Sequence, residues 1–221
     1  TMSSVVDQEQ LMNSKRTATP TKVLCVGRNY VDHIEELNNA IPDAMVVFNK
    51  PCTSVTSSLS SFHQEALHYE AEICFIVENG QYSAVGLGLD LTKRELQSSL
   101  KAKGLPWERA KAFDGSAVLS RFVPITNLDL ADLNLELFIN CVRVQKGHVE
   151  QMLYSPQTIL EELSSYTTLL DGDVVMTGTP KGVGEVHQGD IFLGRLKCGE
   201  TTLIEIAVSY THLTLPTNIG V

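Results

Sequence analysis

The fold is organised around one stretch of the chain, Leu67-His68-Tyr69-Glu70-Ala71-Glu72-Ile73-Cys74-Phe75-Ile76-Val77. β-Branched and aromatic residues are frequent in it and Asn79-Gly80 follows it, which predicts a β-strand that ends in a turn. Alternate residues of a strand lie on one face, so Glu70 and Glu72 are expected to point the same way. Two adjacent carboxylates that lead into an apolar core repel each other and lose hydration. Either they lie at a solvated strand end, or they bind a hard divalent cation, which prefers carboxylate oxygen.

A third carboxylate is predicted to lie near this pair. Residues 84–89 predict an apolar strand, which Asp90 ends. Functional groups of mixed folds collect at the carboxyl ends of strands, so Asp90 is a natural third ligand, although a simple turn aspartate is the alternative. Thr92 and Glu95 have the spacing of a capping box, which predicts that Thr92 caps a helix running to about Lys103.

Two further groups are candidates for acid–base or anion-binding roles. Asn29 is predicted to cap a short helix, on which His33 and Glu36 are neighbours at positions i and i+3. A carboxylate beside an imidazole raises its basicity and fixes its tautomer, so this pair is either a catalytic dyad or an ordinary surface pair. Lys111 lies between two alanines and before Phe113, so it either extends to water or binds an anionic group.

Composition excludes several classes of protein. The chain has 221 residues, with 17 Lys+Arg and 26 Asp+Glu, and its net charge of −9 argues against nucleic acid or an anionic membrane as a partner. No apolar run approaches the ~18 residues that a membrane span needs, and no signal-peptide pattern begins the chain. The five cysteines are widely spaced without a CxxC pair. This argues against a zinc or redox site and favours reduced thiols in the cytoplasm.

The pattern predicts one domain without internal repeats. We expect a flexible leader over residues 1–21 and the folded domain over residues 22–209. Residues 210–221 fit no predicted element and are a candidate for non-native sequence.

Three local patterns in the second half of the chain predict turns and loops. The alternation over residues 133–144 predicts a hairpin whose Asn140-Cys141 turn requires positive φ, and Ser155-Pro156 predicts the start of a helix. The glycine-rich segment 177–184 lacks the spacing of nucleotide-binding loops. Its backbone N–H groups and Thr179 are suited to a small carboxylate instead.

Taken together, these segments resemble the fumarylacetoacetate hydrolase family, in particular its branch of small acylpyruvases and oxaloacetate decarboxylases. The resemblance extends from about Lys22 to Val208. The chain departs from the usual pattern of this family at Tyr69, Cys141 and Val149, but these differences remove no predicted metal ligand. The segments that carry the resemblance are Gly27-Arg28-Asn29-Tyr30 with His33 and Glu36, His68-Tyr69-Glu70-Ala71-Glu72, Leu89-Asp90-Leu91-Thr92 with Arg94 and Gln97, Lys103-Gly104-Leu105-Pro106-Trp107 with Lys111-Ala112-Phe113, and Thr177-Gly178-Thr179-Pro180-Lys181-Gly182-Val183-Gly184.

The resemblance implies an α+β, β-rich fold, a mixed β-roll with short helices, which assembles as a homodimer. It implies that residues 22–209 form the catalytic domain and hold Mg²⁺ or Mn²⁺. The implied metal ligands are Glu70, Glu72 and Asp90. The implied catalytic residues are Lys111 and a dyad of His33 and Glu36 on a segment that orders over the substrate. The implied substrate contacts are Arg28, Arg94, Gln97 and Thr179.

The implied activity is metal-dependent cleavage of small 2-oxo acids: hydrolysis of acylpyruvates, decarboxylation of oxaloacetate, or both, through an enolate that the metal stabilises. In the hydrolysis His33, assisted by Glu36, would activate water, and Lys111 would add positive charge at the enolate oxygen. Two alternatives remain open. One is a tautomerase or isomerase of 2-oxo or 2-hydroxydienoic acids, which uses the same enolate without C–C cleavage. The other is a non-enzymatic metal- or ligand-binding protein, which would not need an acid–base dyad.

Overall fold

The computed structural model describes residues 16–209. Its helices are α1 (Val31–Glu36), α2 (Arg94–Ala102), α3 (Glu108–Lys111) and α4 (Pro156–Tyr166), with 3₁₀ turns at Cys52–Ser54, Leu130–Asp132 and Val149–Gln151. Its strands are β1 (Arg16–Thr17), β2 (Lys22–Gly27), β3 (Val46–Pro51), β4 (Val55–Thr56), β5 (Phe62–His63), β6 (Glu65–Ala66), β7 (His68–Tyr69), β8 (Ala71–Glu78), β9 (Gln81–Asp90), β10 (Ala117–Leu119), β11 (Arg121–Pro124), β12 (Leu133–Ile139), β13 (Val142–His148), β14 (Val174–Met176), β15 (Gly184–Glu185), β16 (Ile191–Cys198) and β17 (Thr201–Ser209). The predicted β-rich α+β class is confirmed.

The strands form one large and one smaller sheet, with two short ribbons. The large sheet has nine strands in the order β1-β11-β9-β8-β14-β2-β3, and β10 pairs with both β9 and β4. It is mixed, because β14 runs parallel to β2 and β10 parallel to β4, whereas β8 and β9 are antiparallel. The second sheet is antiparallel, in the order β13-β12-β16-β17. The large sheet curls into a half-barrel.

The two faces of β8 have different surroundings, as its alternation predicts. Ile73 and Phe75 belong to the main core, together with Leu135 of the second sheet. Cys74 and Ile76 point the other way, into a smaller apolar cluster. Period-two alternation therefore separates the face that packs on the second sheet from the face to which Glu72 belongs.

Two predicted helix caps are wrong. α1 begins at Val31 without a side-chain cap, and Asn29 instead donates to the carbonyls of Tyr154 and Thr177 and accepts from the Tyr154 N–H. α2 begins at Arg94, again without a side-chain cap, and the Thr92 hydroxyl donates to the carbonyl of Asp90. The Thr92 hydroxyl also accepts from Lys111, so in both places a partner distant in sequence binds the polar side chain that local spacing assigns to the helix end.

Other turn predictions are confirmed. Asn140 and Cys141 have φ of 51° and 67° at the hairpin turn, and Asn79 has φ of 50°. Ser155 caps α4, accepting from the N–H of Thr158, with Pro156 in the first turn. These signals are confirmed because turn geometry depends on the residues of the turn itself.

The ends of the chain are described only in part. Residues 16–21, which belong to the predicted leader, contact the domain: β1 pairs with β11, and the Thr21 hydroxyl donates to Asp173 at 2.6 Å. Residues 1–15 of that leader and the predicted tail 210–221 lie outside the described residues. Within residues 16–209, no helix is both long enough and apolar enough to cross a membrane.

Candidate active site

Three buried carboxylates meet at one end of the β8–β9 pair. Glu70, Glu72 and Asp90 are each at most 5% exposed, and a ligand oxygen of each lies within 4.8 Å of the others. Glu72 is paired with Gly88 across the antiparallel strands, and the Asp90 N–H donates to the carbonyl of Glu70 at 2.8 Å. This register brings Asp90 beside two residues that lie some twenty positions earlier in the chain.

Lys111 is buried among these carboxylates. Its Nζ lies 2.9 Å from Asp90 Oδ2 and 3.2 Å from Glu70 Oε2, and it donates to the Thr92 hydroxyl at 2.6 Å. Burial acts to lower the pKa of Lys111, but Asp90 and Glu70 raise it above its ordinary value. Lys111 is therefore a cation at neutral pH, which suits it to polarise an oxygen and not to accept a proton.

Glu70 forms ion pairs with two cations, Arg94 and Lys111. Arg94 lies 2.6 Å from its Oε1 and also donates to Gln97 Oε1 at 2.9 Å. Burial acts to raise the pKa of Glu70, but Lys111 and then Arg94 hold it well below its usual value. Glu70 is thus ionised, and Arg94 and Gln97 are fixed relative to it.

Glu72 is the carboxylate that lacks a cation. Its Oε2 accepts a hydrogen bond from the Gly178 N–H at 2.9 Å, but no lysine or arginine within residues 18–208 forms an ion pair with it. Burial, followed by the charges of Asp90 and Glu70, raises the pKa of Glu72 well above its ordinary value. A buried carboxylate in this position is stabilised by a bound cation.

The donor set fits a hard divalent ion. All three candidate ligands offer carboxylate oxygen, as Mg²⁺ and Mn²⁺ prefer, and no thiolate or imidazole belongs to the cluster. Lys111 and Arg94 contact Asp90 and Glu70, whereas within residues 18–208 no lysine or arginine forms an ion pair with Glu72. Glu70, Glu72 and Asp90 are therefore the residues that would hold Mg²⁺ or Mn²⁺.

Sequence reasoning did not identify Lys50, which is fully buried on β3. Its Nζ lies 2.7 Å from Asp90 Oδ1, although outside hydrogen-bond geometry. It donates to the carbonyl of Ser116 at 3.1 Å and also to that of Lys111. The local pattern predicts only a strand end at Lys50-Pro51, because nothing adjacent to a lysine in sequence shows that its charge is buried.

His33 and Glu36 lie on α1 and face the glycine-rich loop. His33 Nδ1 is 3.2 Å from Glu36 Oε2, and His33 is buried. The Gly182 N–H donates to both Glu36 oxygens, at 3.0 and 3.1 Å. With a proton on Nδ1 directed at Glu36, the Nε2 atom of His33 is free to accept a proton.

A small, partly open cavity connects these groups. His33, Lys111 and the three carboxylates line it, whereas Glu36 reaches it only through His33. The predicted substrate contacts also line it, namely Arg28, Arg94, Gln97 and Thr179. The structure therefore brings the predicted site residues around one space.

Thr179 and Arg28 differ in how many of their polar side-chain atoms already have hydrogen-bond partners within the protein. The Thr179 hydroxyl donates to the carbonyl of Ala71 at 2.8 Å and accepts from Gln145 Nε2 at 2.9 Å. Arg28 lies over the ring of Trp107 and its buried Nε has no hydrogen-bond partner. Arg28 thus has more capacity for a ligand than Thr179.

Comparison with known proteins gives a consistent result. A family model described as "Fumarylacetoacetate (FAA) hydrolase C-terminal" matches residues 22–213. A mitochondrial oxaloacetate tautomerase of Oryza sativa subsp. japonica is 37% identical over 210 residues, 86% of this chain and 90% of the relative. A mitochondrial oxaloacetate decarboxylase of Dictyostelium discoideum is 34% identical over 202 residues, 84% of this chain and 91% of the relative.

Solved structures have the same fold. A fumarylacetoacetate isomerase/hydrolase structure from Oleispira antarctica superposes with a TM-score of 0.81 at 35% identity, covering 86% of this chain and 93% of that one. A fumarylpyruvate hydrolase from Pseudomonas aeruginosa, solved with Mn²⁺ and pyruvate, has a TM-score of 0.78 at 28% identity, covering 88% and 91%.

Proposed function

Because the chain belongs to the fumarylacetoacetate hydrolase family, in its oxaloacetate tautomerase and decarboxylase branch, we propose that it is a divalent-metal-dependent enzyme of small 2-oxo acids, with oxaloacetate as the first candidate substrate. One observation carries the proposal. A buried carboxylate triad, an adjacent buried lysine and a histidine–glutamate dyad are arranged around a single small cavity.

Each part of the site has a distinct chemical role. Mg²⁺ or Mn²⁺ held by the triad would supply Lewis acidity toward the keto and carboxylate oxygens of the substrate. Lys111 places a fixed positive charge where an enolate oxygen develops negative charge. Its ion pairs with Asp90 and Glu70 keep it in that position.

His33 supports proton transfer. Its Nε2 would take a proton from C3 of oxaloacetate and return one to the enolate oxygen, which is tautomerisation. Glu36, held by the Gly182 N–H, keeps the proton on Nδ1. Decarboxylation needs no such base, because loss of CO₂ generates the enolate of pyruvate directly.

Acylpyruvate hydrolysis is the second candidate. The dyad that moves a proton at carbon is equally able to deprotonate water for attack on a distal carbonyl. The similarity to a fumarylpyruvate hydrolase favours this reaction. Assembly as a homodimer and a cytoplasmic location remain part of the proposal.

The test is product analysis by NMR. Purified protein is incubated with oxaloacetate or with acetylpyruvate, in Mg²⁺ or Mn²⁺ and after chelation. We expect faster keto–enol interconversion or pyruvate formation with metal, and recovery when metal returns to the chelated sample. Glu70→Ala should lose metal binding and activity together. Activity that survives complete metal depletion would contradict the proposal.

A further inference from the structure

Helix α2 directs three side chains into the cavity. Arg94, Gln97 and Lys101 are spaced at i, i+3 and i+7 and so share one face of the helix. Arg94 is paired with Glu70 and bonded to Gln97. Lys101 has no carboxylate partner within residues 18–208, although it lines the same cavity.

Lys101 shares an aromatic surface with a second cation. Its Nζ lies 4.7 Å from the centre of the Trp107 ring, and the guanidinium carbon of Arg28 lies 5.7 Å from the same ring. Arg28 also has a buried Nε without a hydrogen-bond partner and a left-handed φ of 55°. Two like charges therefore lie on one tryptophan in the cavity wall, and neither forms an ion pair with a carboxylate of residues 18–208.

The electrostatics of this wall favour an anion. Burial, followed by the charges of Arg28 and Arg94, lowers the pKa of Lys101 to about 8. An anion bound between Lys101 and Arg28 would raise the pKa of Lys101 toward its ordinary value and offer a hydrogen-bond acceptor to the Nε of Arg28. The three carboxylates line the same cavity, which therefore offers acidic ligands for a cation and basic side chains for an anion.

We propose that Arg28 and Lys101, seated on Trp107, form a subsite for the distal carboxylate of a dicarboxylic 2-oxo acid. The inference rests on the proposed function, because it places the keto-acid end of the same substrate at the triad. The subsite selects substrates with a second carboxylate over acylpyruvates whose distal group is neutral. Arginine and lysine side chains on an aromatic ring are suited to this task, since the ring holds their charged groups in place without neutralising them.

The test compares two substrates in charge-removing variants. Lys101→Met retains the apolar stem and removes the charge, and Lys101→Gln is a second neutral variant. We expect KM for oxaloacetate to rise about tenfold in both, the usual effect of losing one charge-assisted contact. KM for acetylpyruvate, which has a single carboxylate, should change less than about twofold. Lys101→Arg should retain most of the affinity for oxaloacetate.

Lys103→Met is the matched control. Lys103 is exposed at the end of the same helix and does not line the cavity, so KM for both substrates should be unchanged. An active enzyme in which Lys101→Met leaves both KM values unchanged, or raises them equally, would overturn the subsite alone. A wild-type protein that turns over neither substrate would overturn the proposed function and the subsite with it.

Discussion

Lys50 and Asp90 form an ion pair in the interior of the protein, with Nζ 2.7 Å from Oδ1 and at most 1% of either side chain exposed. Lys111 contacts the other oxygen of the same carboxylate at 2.9 Å. Asp90 is therefore held between two lysines from different parts of the chain. This arrangement fixes its orientation toward Glu70 and Glu72 and reduces the charge that the triad presents.

Replacing Lys50 by methionine should destabilise the protein strongly. The substitution leaves Asp90 with one lysine partner fewer and removes a donor to the carbonyls of Ser116 and Lys111. Breaking a buried pair in this way costs about 3–5 kcal/mol, which urea unfolding of the metal-free protein would measure. The exposed Lys103→Met should stay within about 0.5 kcal/mol of wild type. Equal stability of Lys50→Met and wild type would show that Lys50 does not balance the charge of Asp90.

Glu72→Gln should have opposite effects with and without metal. Without metal, the substitution removes a buried charge that repels Asp90 and Glu70, so the melting temperature should rise by a few degrees, corresponding to about 1 kcal/mol. The Gly178 N–H can still donate to the amide oxygen. Mn²⁺ should stabilise wild type by an amount that grows with its concentration, and should stabilise the variant much less. A variant with an unchanged response to Mn²⁺ would exclude Glu72 as a ligand.

His33→Ala should distinguish the reactions that one cavity could support. General base catalysis contributes about 10²–10⁴-fold, so tautomerisation and acylpyruvate hydrolysis should slow by that factor, while decarboxylation of oxaloacetate should slow far less. The matched control is His187→Ala, because His187 is exposed and does not line the cavity. Equal losses in all reactions would contradict the assignment of His33 as the base.

Gly182→Ala tests how the glycine-rich loop supports the dyad. Gly182 has φ of +103°, and an added Cβ would lie 1.8 Å from the carbonyl oxygen of Val144. The loop must move, which displaces the N–H that holds Glu36. We expect kcat to fall by at least about tenfold. Gly189→Ala is the control. Gly189 has a φ of +88°, but nothing lies within 4 Å of its added Cβ. This variant should lose only about 1–2 kcal/mol of unfolding free energy through backbone strain, and its kcat should be unchanged.

Asp173 should make the free energy of unfolding depend on pH in the acidic range. Its buried carboxylate accepts from the Lys22 ammonium at 2.8 Å and from the Thr21 hydroxyl at 2.6 Å. Burial acts to raise the pKa of Asp173, but these hydrogen bonds hold it below its ordinary value. The contribution of Asp173 to stability is therefore complete above the pKa that its carboxyl has in the unfolded chain, about 3.9. It is lost as the pH falls through the lower pKa of the same carboxyl in the folded protein.

The corresponding measurement is urea unfolding of Asp173→Asn across pH. The variant should be about 1–3 kcal/mol less stable than wild type at pH 7, and the difference should shrink below about pH 4. Asp43→Asn, at an exposed aspartate, should show neither effect. A difference between Asp173→Asn and wild type that is independent of pH would show that the carboxylate charge does not contribute.

Much of the fold is predictable because it depends on local periodicity and turn chemistry. The alternation in β8 correctly separates Ile73 and Phe75 from Cys74 and Ile76. The Asn140-Cys141 turn and the Ser155 cap involve only neighbouring residues, and both predictions are confirmed. Spacing alone places Asn29 and Thr92 at helix ends, because it contains no information about their tertiary partners.

The sequence by itself determined that Glu70 and Glu72 share a face of a strand, that an acid ends the next strand, and which family motifs surround them. Only the tertiary structure decided that Asp90 lies against this pair, that Lys50 and Lys111 flank it, and that Arg28 and Lys101 meet on Trp107. The physical reason is how far apart in the chain the residues that determine each feature lie. Side-chain alternation is fixed by the backbone of a few residues, whereas the balance of buried charge depends on strand register and on groups far apart in the chain.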